Sequence, residues 1–322
     1  MAKIPFFTFL DPALSTQITS VAPPDFRVTA HSIDLPDRDK IALITDADGL
    51  ILFPGRISSA VLRAASGLKM IQLLSAGYEH MDLELCAELD IVVANNGGTN
   101  SIDVAEHTLA LILGLYRRLV EQDQGMRDGR WDSADSARTT YTIHGKTAAL
   151  IGFGHIGRQV AQRLKAFGAD LLYVDEKPAM AEAVTELEML QVSLTEALSL
   201  ADIISLHVPL TPQTQGMIGP NEIALMRPNA LLINTCRGPV IDENALVEAL
   251  RENAILGAGI DVFATEPLPA NHPLCTLHNV LLTPHSAGIT RDTWIRRAQF
   301  AFANLQRALA NKRPHSQIGF YP

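Results

Sequence analysis

Three side chains in the second half of the chain carry groups that could do chemistry together. They are Arg237 in LLINTCRG, Glu266 in GIDVFATEPLP and His285 in NVLLTPHSAG. Each comes after a short apolar run that reads as a strand. An imidazole can carry a proton, a neighbouring carboxylate favours its charged form, and a planar guanidinium can bridge two oxygens of an anion. Taken singly, each has a plain structural reading. His285 could be a surface loop residue, Glu266 before Pro267 a solvated turn, and Arg237 the partner of Asp242 or Asp261. In an open α/β sheet, however, ligands bind outside the carboxyl ends of the strands, so residues far apart in sequence converge there.

What such a trio would work with is set by a fourth pattern, TAALIGFGHIGRQVAQRLKAFGADLLYVDEKP. Gly152, Gly154 and Gly157 stand as G-x-G-x-x-G straight after an apolar run and open a helical pattern. The first glycine allows the tight turn, the second lets a pyrophosphate approach the backbone, and the third lets helix and strand pack closely. The helix N-terminus then offers unpaired N–H groups to the phosphates. The next strand ends at Asp175, about 20 residues on, where an acidic side chain takes the ribose hydroxyls of NAD and repels a 2′-phosphate. No Arg directly follows Asp175, although Lys177 is close. The pattern predicts NAD rather than NADP. With a nicotinamide present, Arg, Glu and His form a complete set for hydride chemistry on a 2-oxo acid.

These residues need strands to carry them. Short apolar runs recur at residues 4–9, 27–30, 49–53, 70–74 and 91–94, with helix-like segments at 58–65 and 82–89. Strands alternating with helices imply a parallel sheet covered on both faces, here a flavodoxin-like unit. A long, largely apolar helical pattern, DVAEHTLALILGLYRRLVEQDQGM, follows from Asp103 and should be buried. After a polar stretch over 128–141, a second βα series runs through residues 147–151, 170–174, 202–206, 230–234, 258–261 and 280–282. Within it, SLTE at 193–196 has the form of a capping box. A last helix over 289–311 needs a partner for its apolar face, and the first domain is its expected host.

Composition closes other routes. The chain has 322 residues, 47% hydrophobic, enough for two domains with their own cores. A net charge of -9 argues against a nucleic-acid-binding face. The one basic cluster, Arg291, Arg296 and Arg297, reads as the solvated side of a helix. Cys86, Cys236 and Cys275 form no CxxC pair, and HPLCTLH at 272–278 reads as a loop with incidental histidines, so no metal is expected. The N-terminus reads as a first strand rather than a leader, and no apolar run approaches a membrane span. A cytoplasmic protein is expected.

The segments NGGTNSIDVAEHTLALIL, GFGHIGR, HVPLTPQT, LLINTCRGPVIDENAL, GIDVFATEPLP and LLTPHSAG resemble, in order, the motifs of the NAD-dependent D-2-hydroxyacid dehydrogenase family. The resemblance covers nearly the whole length and implies a Rossmann-type NAD-binding domain, residues 103–287, inserted into a flavodoxin-like substrate-binding domain, residues 1–102 plus 288–322. It makes Arg237, Glu266 and His285 the catalytic set. It places cofactor contacts at Gly152, Gly154, His155, Ile156 and Gly157, at Asp175, and at His207, Val208 and Pro209. Further ones fall at Thr235, Cys236 and Arg237, and at His285 and Gly288, with Asp261 meeting the nicotinamide carboxamide. The substrate carboxylate falls to backbone N–H groups at Ala76 and Gly77 in SAGYEHMD, with Asn100, Arg237 and His285 also on the substrate.

The resemblance also implies a homodimer and a small 2-oxo or 2-hydroxy acid substrate. TNSIDVAEH is similar to formate dehydrogenases as well, but those pair the catalytic His with Gln, and Glu266 favours a 2-hydroxy acid. A formate- or phosphite-type dehydrogenase is one alternative. The other is a co-repressor of the C-terminal-binding type, which keeps the Arg-Glu-His set and assembles on NAD(H). No extended polar tail or basic nuclear-targeting run supports it. The C-terminal regulatory domain frequent in phosphoglycerate dehydrogenases is not expected after Pro322.

Overall fold

Runs of Ile, Leu, Val and Phe form two separate, mainly parallel sheets, because the central runs are buried on both faces and need helices above and below. A computed structural model of the chain describes residues 1–131, 133–177 and 181–319. They belong to two units, Met1–Asn100 with Thr290–Pro322, and Ser101–Ile289.

In the first unit the strands are β1 (Ala2–Thr8), β2 (Phe26–Ser32), β3 (Gly49–Phe53), β4 (Met70–Leu73) and β5 (Val92–Ala94). They lie in the order β2-β1-β3-β4-β5, all parallel, which is the flavodoxin-like order the sequence led us to expect. Helices Asp37–Ile44, Ser59–Ala64 and Leu83–Glu88 belong to this unit, and Ser58 and Asp82 cap the last two by accepting from Val61 N and Leu85 N. The final long helix, Thr293–Leu309, sets Trp294, Ala298, Ala301, Phe302 and Leu305 into one core with Ile4, Phe6, Ile51 and Met70.

The second unit holds β6 (Thr147–Ile151), β7 (Asp170–Val174), β8 (Met189–Gln191), β9 (Ile203–Leu206), β10 (Leu231–Asn234), β11 (Gly257–Ile260) and β12 (Val280–Leu282). Their order is β8-β7-β6-β9-β10-β11-β12, all parallel, the doubly wound arrangement of a Rossmann sheet. The switch in direction falls between β6 and β9, beside the glycine loop. Helix Ser101–Tyr116 covers one face. It lies so close that a Cβ on Gly259 would come within 2.9 Å of Leu111 Cβ. Ser193 and Glu196 form the capping box read from SLTE. Back in the first unit, a thirteenth strand, β13 (Gln317–Ile318), pairs antiparallel with β5.

Two expectations need correction. The long helical pattern from Asp103 is not one helix. It breaks at Arg118, which sits at φ 50°, and a second helix, Leu119–Arg127, follows. Arg118 is held there by ion pairs to Glu121 and Asp135. Only Gly125 of the second helix is buried, so the apolar composition of this stretch does not translate into burial beyond Tyr116. The polar stretch after it contains a short helix, Ser133–Thr139. The second correction concerns Arg297, read as solvated but only 3% exposed. Its guanidinium lies 5.0 Å from the Trp294 ring and 5.8 Å from that of Phe53, and Nη1 donates to the Leu74 carbonyl at 2.8 Å. Aromatic faces and a strand-end carbonyl replace water around it. Among the described residues no helix is long and apolar enough to cross a membrane.

Candidate active site

The loop after β10 begins with an asparagine that shapes it. Asn234, fully buried, accepts from the Cys236 N–H at 3.0 Å and the Cys236 thiol at 3.1 Å, and donates to the Arg237 carbonyl at 2.9 Å. This Asx turn leaves Arg237 extended, at φ -147° and ψ 137°, at the strand's carboxyl end. Arg237 Nη1 also donates to the Cys236 carbonyl at 2.5 Å. Gly238 is needed because the loop after β11 passes over it: a Cβ there would lie 2.0 Å from the Phe263 carbonyl carbon. The two carboxylates read from the sequence as possible partners of Arg237 also serve their own loops. Asp242 caps helix Glu243–Arg251, and Asp261 is bound by the loop after β12.

The loops after β11 and β12 supply the acid–base pair. Glu266 Oε1 accepts from the Phe263 N–H at 3.0 Å, and Oε2 lies 2.7 Å from His285 Nδ1. With Nδ1 directed at the carboxylate, Nε2 is the ring nitrogen left to move a proton. His285 itself sits at φ 51°, held by its N–H donating to the Asp261 carbonyl at 2.7 Å. A left-handed, half-exposed histidine is uncommon and needs such support. Asp261 is 1% exposed. Its Oδ1 accepts from the Thr283 hydroxyl at 2.6 Å and the Ser286 N–H at 2.9 Å, and Oδ2 accepts from the Ala287 N–H at 3.0 Å. Oδ2 therefore keeps a lone pair for a further donor.

Residues of the glycine loop fit a dinucleotide. Gly152 adopts φ +96°, and a Cβ on it would meet the His207 carbonyl oxygen at 2.5 Å; one on Gly157 would meet the Gly152 oxygen at 2.3 Å. A Cβ on Gly154 would meet nothing within 4 Å, which is the open approach a pyrophosphate needs. Helix His155–Ala166 starts there with no side-chain cap, leaving the N–H groups of its first turn, Ile156 and Gly157 among them, for an anion. Asp175 is half-buried at the end of β7, with Oδ2 accepting from Phe153 N at 2.8 Å and Oδ1 from Lys177 N at 3.0 Å.

After β9, burial pushes His207 down to about 3, so the ring is neutral; Nε2 meets Ser205 Oγ at 2.9 Å while Nδ1 is buried without a partner. Val208 is half-buried and Pro209 exposed beside it. Thr235 Oγ1 meets Thr108 Oγ1 at 3.3 Å. Burial pushes the Cys236 thiol up to about 11, which makes it an inert neighbour rather than a nucleophile. Gly288 is half-buried after Ala287.

The remaining predicted residues belong to the first unit. After β4, consecutive carbonyls are each bound: Leu74 by Arg297, Ser75 by the Asn96 N–H at 3.0 Å, Ala76 by Asn95 Nδ2 at 2.9 Å, and Gly77 by Ser75 Oγ at 2.8 Å. With its carbonyls tied down, the loop is a rigid frame for half-buried N–H groups at Ala76 and Gly77. Asn100 is buried, its Oδ1 accepting from Asn96 Nδ2 at 3.0 Å. Sequence reasoning missed Asn95, Asn96, Asn234, Thr283 and Arg297 as the residues that shape these loops. Only Asn234 and Thr283 carry a sequence signal, a polar side chain next to the end of an apolar run. Among the described residues no group of His, Cys, Asp or Glu is arranged to hold a metal ion.

A Rossmann sheet with this glycine loop, a carboxylate after β7 and an imidazole–carboxylate pair at its carboxyl end defines an NAD-linked oxidoreductase. Residues 109–287 match the model of the D-isomer specific 2-hydroxyacid dehydrogenase NAD-binding domain. The chain is 40% identical over 288 residues to a glyoxylate reductase of Thermofilum pendens, covering 88% of this chain and 85% of that one. A crystal structure of a Thermus thermophilus protein superposes with a TM-score of 0.85 at 34% identity, over 98% of this chain and 99% of the other. The NAD-complexed D-isomer specific 2-hydroxyacid dehydrogenase of Lactobacillus delbrueckii ssp. bulgaricus superposes with a TM-score of 0.83 at 27% identity, over 98% and 100%. This chain belongs to the D-isomer specific 2-hydroxyacid dehydrogenase family and uses NAD.

Proposed function

We propose that the chain interconverts a small 2-oxo acid and its D-2-hydroxy acid, with Arg237, Glu266 and His285 as the catalytic residues. The observation that carries this reading is the 2.7 Å contact between His285 Nδ1 and Glu266 Oε2, on loops that share the sheet's carboxyl end with Arg237. NAD, when bound, supplies or accepts the hydride at substrate C2. In reduction His285 gives its Nε2 proton to the forming alkoxide, and in oxidation it takes one. Glu266 stabilises the imidazolium and fixes the ring. Arg237 binds the substrate carboxylate and carbonyl oxygen together, polarising the second. The N–H groups of Ala76 and Gly77 take the carboxylate, with Asn100 supporting them. Gly152 to Gly157, His207 to Pro209, Thr235, Cys236 and Gly288 line the cofactor, and Asp261 receives the carboxamide.

Relatives named glyoxylate reductases make glyoxylate the first acid to try. NADH oxidation measured over glyoxylate, hydroxypyruvate, pyruvate and longer 2-oxo acids tests the proposal. A co-repressor-type protein would bind NADH yet turn over none of them, and that result would sink the enzymatic reading. Glu266→Gln keeps a hydrogen-bonding group beside His285 but removes the carboxylate charge from the 2.7 Å contact. The variant should lose kcat for 2-oxo acid reduction by roughly tenfold or more with NADH affinity little changed, and an unimpaired kcat would separate Glu266 from His285.

Asp175 should impose NADH over NADPH. Replacing it with Ala is expected to weaken NADH and narrow the preference, whereas equal kcat/KM for both cofactors in the parent would contradict its role. A homodimer in the cytoplasm completes the proposal. Exposed Leu119, Val120 and Met126 give a second copy apolar surface to cover, and three free thiols suit a reducing compartment. Sedimentation at micromolar concentration reads the first of these directly.

A further inference from the structure

A chain of polar side chains in the second unit leads from a helix to the Asp261 carboxylate. His107 Nε2, on helix Ser101–Tyr116, lies 2.9 Å from Thr283 Oγ1, which lies 2.6 Å from Asp261 Oδ1. Its place follows from packing. Leu111 presses on Gly259 in β11, and His107 stands one turn nearer the helix N-terminus on the same face, above the end of that strand. The proton order can be read off. An ionised carboxylate only accepts, so the single Thr283 hydroxyl proton goes to Asp261, and Oγ1 must accept from His107. Neutral His107 is thereby held as the Nε2–H tautomer.

The same carboxylate also takes the Ser286 and Ala287 N–H groups, and the Asp261 carbonyl takes that of His285. With Oδ1 filled by Thr283 and Ser286, Oδ2 is the oxygen that remains for a ligand. We propose that His107 and Thr283 are positioning residues that act through Asp261, fixing which of its oxygens meets the nicotinamide end of the cofactor. This rests on the proposed role of Asp261 as the carboxamide's partner. Neither residue touches the reacting atoms.

Calorimetric affinities for two ligands test it: NADH, and ADP-ribose, which shares every part of NADH except the nicotinamide. Thr283→Val and His107→Phe keep volume and remove the hydrogen bonds. Thr283→Val should weaken NADH by roughly ten- to a hundredfold, the worth of a hydrogen bond to a charged group, and His107→Phe by less. ADP-ribose should bind both variants within about twofold of the parent, and Thr283→Ser should restore NADH affinity. Equal losses for both ligands, or no loss for either, would overturn the proposal. Should Thr283→Val fold poorly, Thr283→Ala is read against the same two ligands. Asp261→Asn separates the underlying reading. If it binds NADH normally, Asp261 does not meet the carboxamide. If it loses NADH alone while Thr283→Val and His107→Phe bind normally, only the positioning chain fails.

Discussion

His285→Gln is expected to lower kcat for 2-oxo acid reduction by roughly 10²–10⁴-fold, the contribution of a well-placed general acid. The amide can still hydrogen-bond to Glu266, which is 2.7 Å from the imidazole it replaces, so the loop keeps its shape. What is lost is a proton that can leave. NADH affinity should change less than about tenfold, since the glycine loop and Asp175 carry most of the proposed cofactor contacts. Turnover close to the parent's would remove His285 from the chemistry.

Arg237→Lys is expected to be clearly impaired in both KM and kcat, with NADH affinity little changed. A charge-assisted bidentate contact that strengthens in the transition state is worth roughly 3–5 kcal/mol, on the order of 10²–10⁴-fold in kcat/KM. Lysine keeps the charge but cannot satisfy two oxygens in one plane, so it should fall short of the full loss. A purely structural arginine would instead give a lower Tm with near-normal kinetics in the folded fraction. A stable Arg237→Lys protein with unimpaired turnover would sink the catalytic role.

Much of this site was legible because its signals are local. The spacing of Gly152, Gly154 and Gly157 between strand and helix specifies a backbone path, and polar residues after apolar runs mark the ligand end of a parallel sheet. The flavodoxin-like order of the first sheet followed from the same alternation. What escaped was set by contacts distant in sequence. Arg297 looks solvated until Phe53 and Trp294 close around it. His107 is one polar residue in an apolar helix until Thr283 arrives 176 positions later. The break at Arg118 depends on Asp135, and no propensity of the surrounding residues announces it. Strand β8, Met189–Gln191, has one buried residue and no apolar run to mark it, and β13 is only two residues long.

The helix Thr293–Leu309 and strand β13 complete a sheet begun by the first strand of the chain. During synthesis the ribosome delivers β1 to β5 first and their covering helix last. Until then Ile4, Phe6, Ile51 and Met70 have no Trp294, Phe302 or Leu305 to meet. The sheet β6–β12, whose strands all lie between residues 147 and 282, can pair before that. The nascent N-terminal region thus spends most of translation with an uncovered apolar face, the situation in which aggregation competes with folding and chaperones are recruited. Slow decoding anywhere between the end of β5 and Leu309 should lengthen that window.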